Sequence, residues 1–503
     1  MRQSRGALLP PTGAGRVRRG RLYQTLRDAL LEGVFRAGER FPSTRQAAAD
    51  YGVSRGLLEE VFTQLTDEGF LERAVGRGTF VASPVMALAP VTRSSRRHYR
   101  APSPSGRGAV IAGNATCREP VRPVPFNAGT ADTSEFPWDR WRRLEERARR
   151  ELGREALRFA DPRGLPALRA AIARYLAQFR GIRCTERQIV VFNSAQQALN
   201  ALSILLLDGG DEVWIEDPSY PGARAALELS GAAAMPVPVD SEGMRVDKGA
   251  RRWPRARLAY VTPSHQYPTG VALSLERRIA LLDWAERNNS WVIEDDYDGE
   301  FGHEGQTLTA LHSLDSHGRV VYVGTLNKSM FVSLRLAYAT VPEKLVEPLA
   351  NIRTQLDGFT PAITQMAMSL FMLEGFFSMH LRRVRAAYAA KRAMLVEGLQ
   401  PLAKYGWTWP SRPAGMHLML WHKRGDLVRA VARASSLELA LLSSYREARA
   451  SDDGLFLRYG ALDAASLQVG VAKLVKTAMK VELQMKHPQM KSHPDRALER
   501  YPR

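Results

Sequence analysis

The stretch Val321-Tyr322-Val323-Gly324-Thr325-Leu326-Asn327-Lys328-Ser329-Met330 ends an apolar run on a single lysine. Residues 319–323 (Arg-Val-Val-Tyr-Val) are β-branched and aromatic and close on a glycine, the pattern of a short buried strand. Arg335 follows, then Leu336-Ala337-Tyr338. Upstream, residues 291–297 (Trp-Val-Ile-Glu-Asp-Asp-Tyr) form a second strand that runs into acids and a tyrosine. Further back stands Thr262-Pro263-Ser264-His265-Gln266-Tyr267-Pro268-Thr269-Gly270.

In that order these stretches suit one chemistry. Pyridoxal phosphate needs a lysine amine for a Schiff base and a carboxylate that keeps its ring nitrogen protonated. Its phosphate needs a cation and backbone donors. Lys328, Asp295 and Arg335 supply the first three parts. Tyr297 lies two residues past Asp295, so on an extended strand it faces the same side and reaches toward the phenolic oxygen of the ring. Together these residues resemble the C-terminal half of a fold-type I aminotransferase, and the likeness covers most of residues 126–470. The expected body is therefore the α/β fold of the fold-type I pyridoxal-phosphate-dependent transferases.

The resemblance assigns further residues. A strand at Ile189-Val190-Val191-Phe192 is followed by Asn193-Ser194-Ala195-Gln196-Gln197-Ala198-Leu199, which opens a helix. Such a strand-to-helix N-terminus is an anion site by geometry. The Ser194, Ala195 and Gln196 amides are expected to cradle the phosphate. Tyr220, at the end of Val213-Trp214-Ile215-Glu216-Asp217-Pro218-Ser219-Tyr220, is implied to stack on the pyridine ring. Either His265 or Gln266 is implied to contact the phenolic oxygen, and Gln266 is carried as the cofactor contact. The segment Asp161 to Arg169 is implied to lie near the cofactor of another subunit. An arginine in the C-terminal part binds a carboxylate in similar enzymes; Arg458 is the candidate and Arg446 the second. No further ligand stands at useful spacing from His265, so no metal is expected.

Helical periodicity begins near Leu22, with Leu22, Leu26, Leu30 and Leu31 on one face, and Gly33 closes that helix. Ser43 or Thr44 caps a short Ala-rich helix that ends at Gly52. Ser54 caps the next, whose Leu58, Val61, Phe62 and Leu65 share a face. Two short helices about a glycine turn are a helix-turn-helix. A hairpin follows, Phe70-Leu71-Glu72-Arg73, the turn Val75-Gly76-Arg77-Gly78, then Thr79-Phe80-Val81. Residues 20–82 resemble the GntR-type winged helix-turn-helix. The resemblance makes Arg45, Ser54, Arg55, Gly76 and Arg77 the DNA contacts. Arg55 stands where a recognition helix reads base edges and arginine forks to guanine. Gly76 lets the backbone approach a groove.

A chain of 503 residues is too long for one core, and about three domains are expected. Residues 1–20 read as a disordered N-terminus, 21–82 as the DNA-binding head and 83–125 as a flexible Pro-, Arg- and Ser-rich linker without helical or strand period. Residues 126–478 form the aminotransferase-like body, and 479–503 a basic tail with no assigned role. Two cysteines, Cys117 and Cys184, argue against a disulfide framework. The N-terminus lacks a signal-peptide core, and the longest apolar run falls far short of the ~20 residues a bilayer needs. A cytoplasmic protein with no membrane partner is expected. Roughly half of the +19 net charge lies in the first 125 residues, as suits a part that meets polyanions.

A GntR-type head, a linker and an aminotransferase-like body together resemble the MocR subfamily of bacterial transcription regulators. That resemblance implies a double-stranded DNA operator, pyridoxal 5′-phosphate as cofactor or signal, a small amino compound as possible effector, and a homodimer with head-to-tail domain exchange. In one reading the body senses the cofactor, an amino compound or both. In the other the protein is a working aminotransferase that carries a DNA-binding domain. The head favours regulation. A basic RNA-binding enzyme is a third reading, and no RNA motif supports it.

Overall fold

The computed structural model describes residues 19–83, 103–113, 125–126, 129, 131–302, 308–411 and 415–486. The expected disordered N-terminus over residues 1–18, the expected linker over 84–102 and 114–124, and the expected basic tail over 487–503 lie outside the described residues. The chain divides into two compact units, Met1–Pro104 and Ser105–Arg503.

The first unit has three helices, α1 (Arg19–Leu31), α2 (Thr44–Tyr51) and α3 (Arg55–Asp67), and a hairpin of β1 (Leu71–Ala74) and β2 (Gly78–Val81). Each boundary has a local cause. Ser43 Oγ accepts from the Gln46 amide at 3.2 Å, so Ser43 rather than Thr44 is the cap of α2. Gly52 ends α2 with φ +63°, a conformation that favours glycine. Ser54 Oγ accepts from the Leu57 amide at 3.3 Å and starts α3. Leu22, Leu26 and Leu30 of α1 pack on Leu58, Val61, Phe62 and Leu65 of α3, with Leu71 and Val81 of the hairpin closing one small core.

The second unit is built on an eight-stranded sheet. Its strands are β3 (Ile189–Phe192), β4 (Glu212–Asp217), β5 (Ala233–Asp240), β6 (Gly243–Met244), β7 (Leu258–Val261), β8 (Trp291–Asp296), β9 (Val320–Thr325) and β10 (Ala337–Thr340). The order is β3-β10-β9-β8-β7-β4-β5-β6. All run parallel except β10, which is antiparallel to both neighbours, and β6. β3, β7, β8 and β9 are buried at every residue, because helices cover both faces of such a sheet. A smaller three-stranded sheet has the order β11-β13-β12, from β11 (His417–His422), β12 (Ala440–Leu441) and β13 (Asp453–Arg458). The long helices Ala362–Leu373, Phe376–Ala403 and Ala464–Lys486 join the two sheets through a common core.

Two boundaries differ from the sequence reading. A helix runs Gly106–Gly113, inside the stretch read as a linker without period. Ser105 Oγ caps it by accepting from Gly108 at 3.0 Å. Its sequence, Gly-Arg-Gly-Ala-Val-Ile-Ala-Gly, has no spaced apolar stripe to reveal it. The supposed tail is helical as far as Lys486, with Val481 and Glu482 buried. Among the described residues no single helix is long and apolar enough to cross a membrane.

Candidate functional site

The parallel strands deliver their carboxyl ends to one edge of the sheet, where such folds bind ligands. Ser194 follows β3, Tyr220 follows β4, Gln266 follows β7, Asp295 is the next-to-last residue of β8 with Tyr297 just past it, and Lys328 follows β9. Because β10 is reversed, Arg335, which precedes it, lies at the same edge.

Asp295 is 5 % exposed. Its Oδ2 accepts from the Tyr260 hydroxyl at 2.8 Å, while Oδ1 is buried without a hydrogen-bond partner. Burial pushes this carboxyl up to about 7, against the pull of the Tyr260 bond; Asp296 and Asp298 add to the push and the Lys328 charge opposes it. Lys328 is half-buried and its Nζ donates to the Gly129 carbonyl. The loop after it is closed at both ends. Leu326 N donates to Leu336 O at 3.0 Å, and Leu336 N donates to Asn327 Oδ1 at 2.9 Å. Asn327 is thus the clip of the loop that carries Lys328 and Arg335. Arg335 has φ +56°, rare for a residue with a side chain, and is exposed without an ion pair among the described residues.

The helix Ala195–Leu206 starts at this edge. Ser194 Oγ caps it by accepting from Gln197 at 3.1 Å, with an extended backbone that any residue adopts. The Ala195 and Gln196 amides have no acceptor among the described residues. The Gln196 side chain donates to Gly222 O at 2.8 Å. A Cβ at Gly222 would collide with Gln196 Oε1 and the Tyr220 ring, so only glycine fits between them.

Tyr297 lies one residue beyond β8, so strand alternation stops short of it. Its hydroxyl is 3.2 Å from His265 Nδ1, which is 2.7 Å from Asp298 Oδ2. The Gln266 side chain turns away into the protein. Its Nε2 donates to the carbonyls of Pro218 and Tyr267, both at 2.7 Å, and its Oε1 accepts from the Thr269 hydroxyl at 2.5 Å. Gln266 also touches buried Glu216, which burial pushes up to about 7 against its bonds from Thr262 and Gln266.

His265, Asp298 and His417 come together with ligand atoms within 4.8 Å of one another, all buried. The sequence argument that no second ligand stands near His265 therefore does not hold in space, since folding closes gaps of 33 and 152 positions. A 2.7 Å His–Asp contact is a hydrogen bond. Burial, then the neighbouring His265, Arg458 and Lys328, hold His417 well below the ordinary histidine range. The Arg458 and Lys328 charges also oppose a further positive charge at the cluster.

At the far side, Arg458 ends β13 opposite His417 in the register of β11. Its Nη2 donates to the hydroxyls of Tyr267 and Tyr445, each at 3.2 Å, and its guanidinium lies 5.0 Å from the Phe456 ring centre. Arg446 instead pairs with Asp452 at 3.0 Å. Around the site Tyr260, Asp298, His417 and Tyr445 escaped the sequence reading. None has a local signal, because each is placed by strand order or by pairing between distant segments.

In the first unit Arg45, Ser54, Arg55, Gly76 and Arg77 are all exposed. The three arginines make no ion pair among the described residues. Further along, the exposed face of α3 carries acids: Glu59 pairs with Arg73 at 2.7 Å and Glu60 with Arg19 at 3.6 Å.

Residues 123–444 match the aminotransferase class I and II family, and residues 18–81 match the bacterial regulatory proteins of the gntR family. A relative described as the probable rhizopine catabolism regulatory protein MocR of Rhizobium meliloti is 33% identical over 92% of this chain and 94% of its own length. The chain belongs to the MocR-type transcription regulators. The pyridoxine biosynthesis regulator PdxR of Corynebacterium glutamicum, another protein of this architecture, is 29% identical over 90% of this chain and 94% of its own. Among solved structures, the α-aminoadipate aminotransferase LysN of Thermus thermophilus, complexed with N-(5′-phosphopyridoxyl)-L-leucine, superposes with a TM-score of 0.66 at 26% identity. That match covers 74% of this chain and 97% of LysN.

The residues of this MocR-type chain fit pyridoxal phosphate. The unpartnered Asp295 Oδ1 matches a ring N–H, the open amides of Ala195 and Gln196 with Arg335 match a phosphate, and Lys328 offers the amine. Gln266 fits as a support of the Tyr267 loop rather than as a contact.

Proposed function

We propose that the aminotransferase-like unit is the sensor of this regulator, and that its state sets how the head holds an operator. The observation that carries the reading is the convergence of Lys328, Asp295 and Arg335 on one sheet edge, with Asp295 Oδ1 left unpartnered in a buried place. Bound pyridoxal phosphate supplies an aldehyde carbon that condenses with amines. Lys328 is the resident amine, Asp295 holds the proton on the ring nitrogen, and Tyr297 meets the phenolic oxygen. Ser194, Ala195, Gln196 and Arg335 hold the phosphate, and Tyr220 covers the ring. Arg458 pairs with the carboxylate of an amino compound that competes with Lys328. The cofactor is the necessary input and the amino compound the second.

The head meets DNA through the first turn of α3. Arg55 and the helix N-terminus are attractive to DNA there, while Glu59 and Glu60 would be repelled if the helix lay along the phosphates. Arg45, Ser54, Gly76 and Arg77 flank that end. The regulator acts in the cytoplasm as a homodimer with exchanged heads. Leu157 and Phe159, 87% and 95% exposed beside the Asp161–Gly164 turn, support a second copy covering this face.

The test is an absorption spectrum of the purified protein, borohydride reduction, and mass mapping, followed by operator binding of apo and holo forms with and without amino acids. A visible band that reduction removes, a label on Lys328, and operator binding that depends on cofactor or amino acid are expected. No label on Lys328, or operator binding indifferent to both ligands, overturns the sensor reading. Turnover is the second reading, supported by the presence of Lys328, Asp295 and Arg458, the residue types such chemistry would use. Steady keto-acid release from an amino acid would establish it.

A further inference from the structure

Resting on the reading that Arg458 takes the effector's carboxylate, we propose that Tyr445 is the second anion-recognition group of that pocket. Its hydroxyl accepts from Arg458 Nη2 at 3.2 Å. A guanidinium has no lone pair to offer, so the phenol keeps its own proton to give. Among the described residues that proton has no acceptor. An oxyanion bridging Arg458 therefore finds an O–H donor beside the guanidinium. The Tyr445 ring is fixed edge-on against Tyr267 at 5.7 Å and Phe456 at 5.5 Å, so the hydroxyl is held in place before a ligand arrives.

The backbone around Tyr445 is tied to the cofactor side of the site. Its carbonyl accepts from Ser219 N at 3.0 Å, and the Glu447 and Ala448 amides donate to the two oxygens of Asp217 at 2.8 and 3.0 Å. Asp217 ends β4, and Ser219 lies in the turn after it that presents Tyr220. A ligand held by Tyr445 is thus held by the segment that fixes the ring-covering loop. The ligand class is an amino compound with an oxyanion at its other end, a carboxylate or a sulfonate.

The experiment titrates wild-type, Tyr445→Phe and Arg458→Ala holo-proteins, matched for cofactor content. The probes are the twenty protein amino acids, β-alanine, taurine and, as the end without an anion, n-propylamine; the readout is the visible spectrum. Tyr445→Phe keeps the ring and removes only the donor. It is expected to weaken the responding amino acid or aminosulfonate about tenfold, as for a hydrogen bond to a charged group, and to leave n-propylamine unaffected. Taurine responding in place of carboxylates identifies the sulfonate arm. Equal affinities in wild type and Tyr445→Phe, with Arg458→Ala weakened, overturn the Tyr445 assignment alone. An Arg458→Ala protein as responsive as wild type overturns the carboxylate site itself, as does a wild-type protein that answers none of the anionic probes.

Discussion

Lys328 and Asp295 each yield a measurable outcome. Lys328→Ala is expected to lose the visible band of the holo-protein completely, with near-native far-ultraviolet circular dichroism; a variant that keeps the band places the amine elsewhere. Asp295 carries a pH signature in the protein without cofactor. Its carboxyl titrates near 3.9 in an unfolded chain and is pushed up to about 7 by burial in the folded one. Between those values the folded state holds more protons, so this contribution is complete at low pH and stability falls as pH rises toward 7. Asp295→Asn should flatten, in the cofactor-free protein, the decline of the body's own melting temperature between pH 5 and pH 8. Glu216, Glu294 and Glu300, also pushed up to about 7, keep the slope from vanishing. A variant that declines as steeply as wild type would show that Asp295 does not titrate there. At this scale the sequence shows the residues that end strands, since a lysine or an acid after an apolar run is visible locally. Tyr260 does not show. It reaches Asp295 from a neighbouring strand, and only the β7–β8 pairing makes them partners.

Among the elements, α3 is where capping and recognition meet. Ser54 sets its start and Arg55 is its first residue, so the two substitutions should separate. Arg55→Ala is expected to cost about 1–3 kcal/mol of specific operator binding with no change in the melting of the head. Ser54→Ala should lower head stability by about 0.5–2 kcal/mol and weaken DNA binding as well. Gel-shift titrations beside thermal melts distinguish them; equal binding by Arg55→Ala and wild type would remove the end-on reading of α3. The helix-turn-helix was legible because serine caps, Gly52 and the spacing of Leu58, Val61, Phe62 and Leu65 each announce a boundary or a face. The Gly106–Gly113 helix was hidden by its glycines and lack of a stripe. The reach of the last helix to Lys486 was hidden because Val481 is the one large apolar residue it buries in its final turns.

For the whole molecule, the charge excess in the first quarter of the chain predicts operator binding that falls steeply with salt. Removing an arginine that neutralises one phosphate reduces the slope of log affinity on log salt by about 1. Arg45→Ala and Arg77→Ala, measured from low to physiological salt, should each show that reduction; unchanged slopes would remove both from the DNA face. The head and the body also have separate hydrophobic cores, one of short helices and a hairpin, the other of two sheets joined by long helices. A chain with two cores need not melt as one cooperative unit, so a single midpoint is not a defined property of it. Scanning calorimetry should resolve two heat-absorption peaks. Cofactor should move chiefly the peak of the body, and operator DNA chiefly that of the head, each by mass action. Any shift that a ligand of one unit imposes on the peak of the other measures, in free energy, the signal that passes between them.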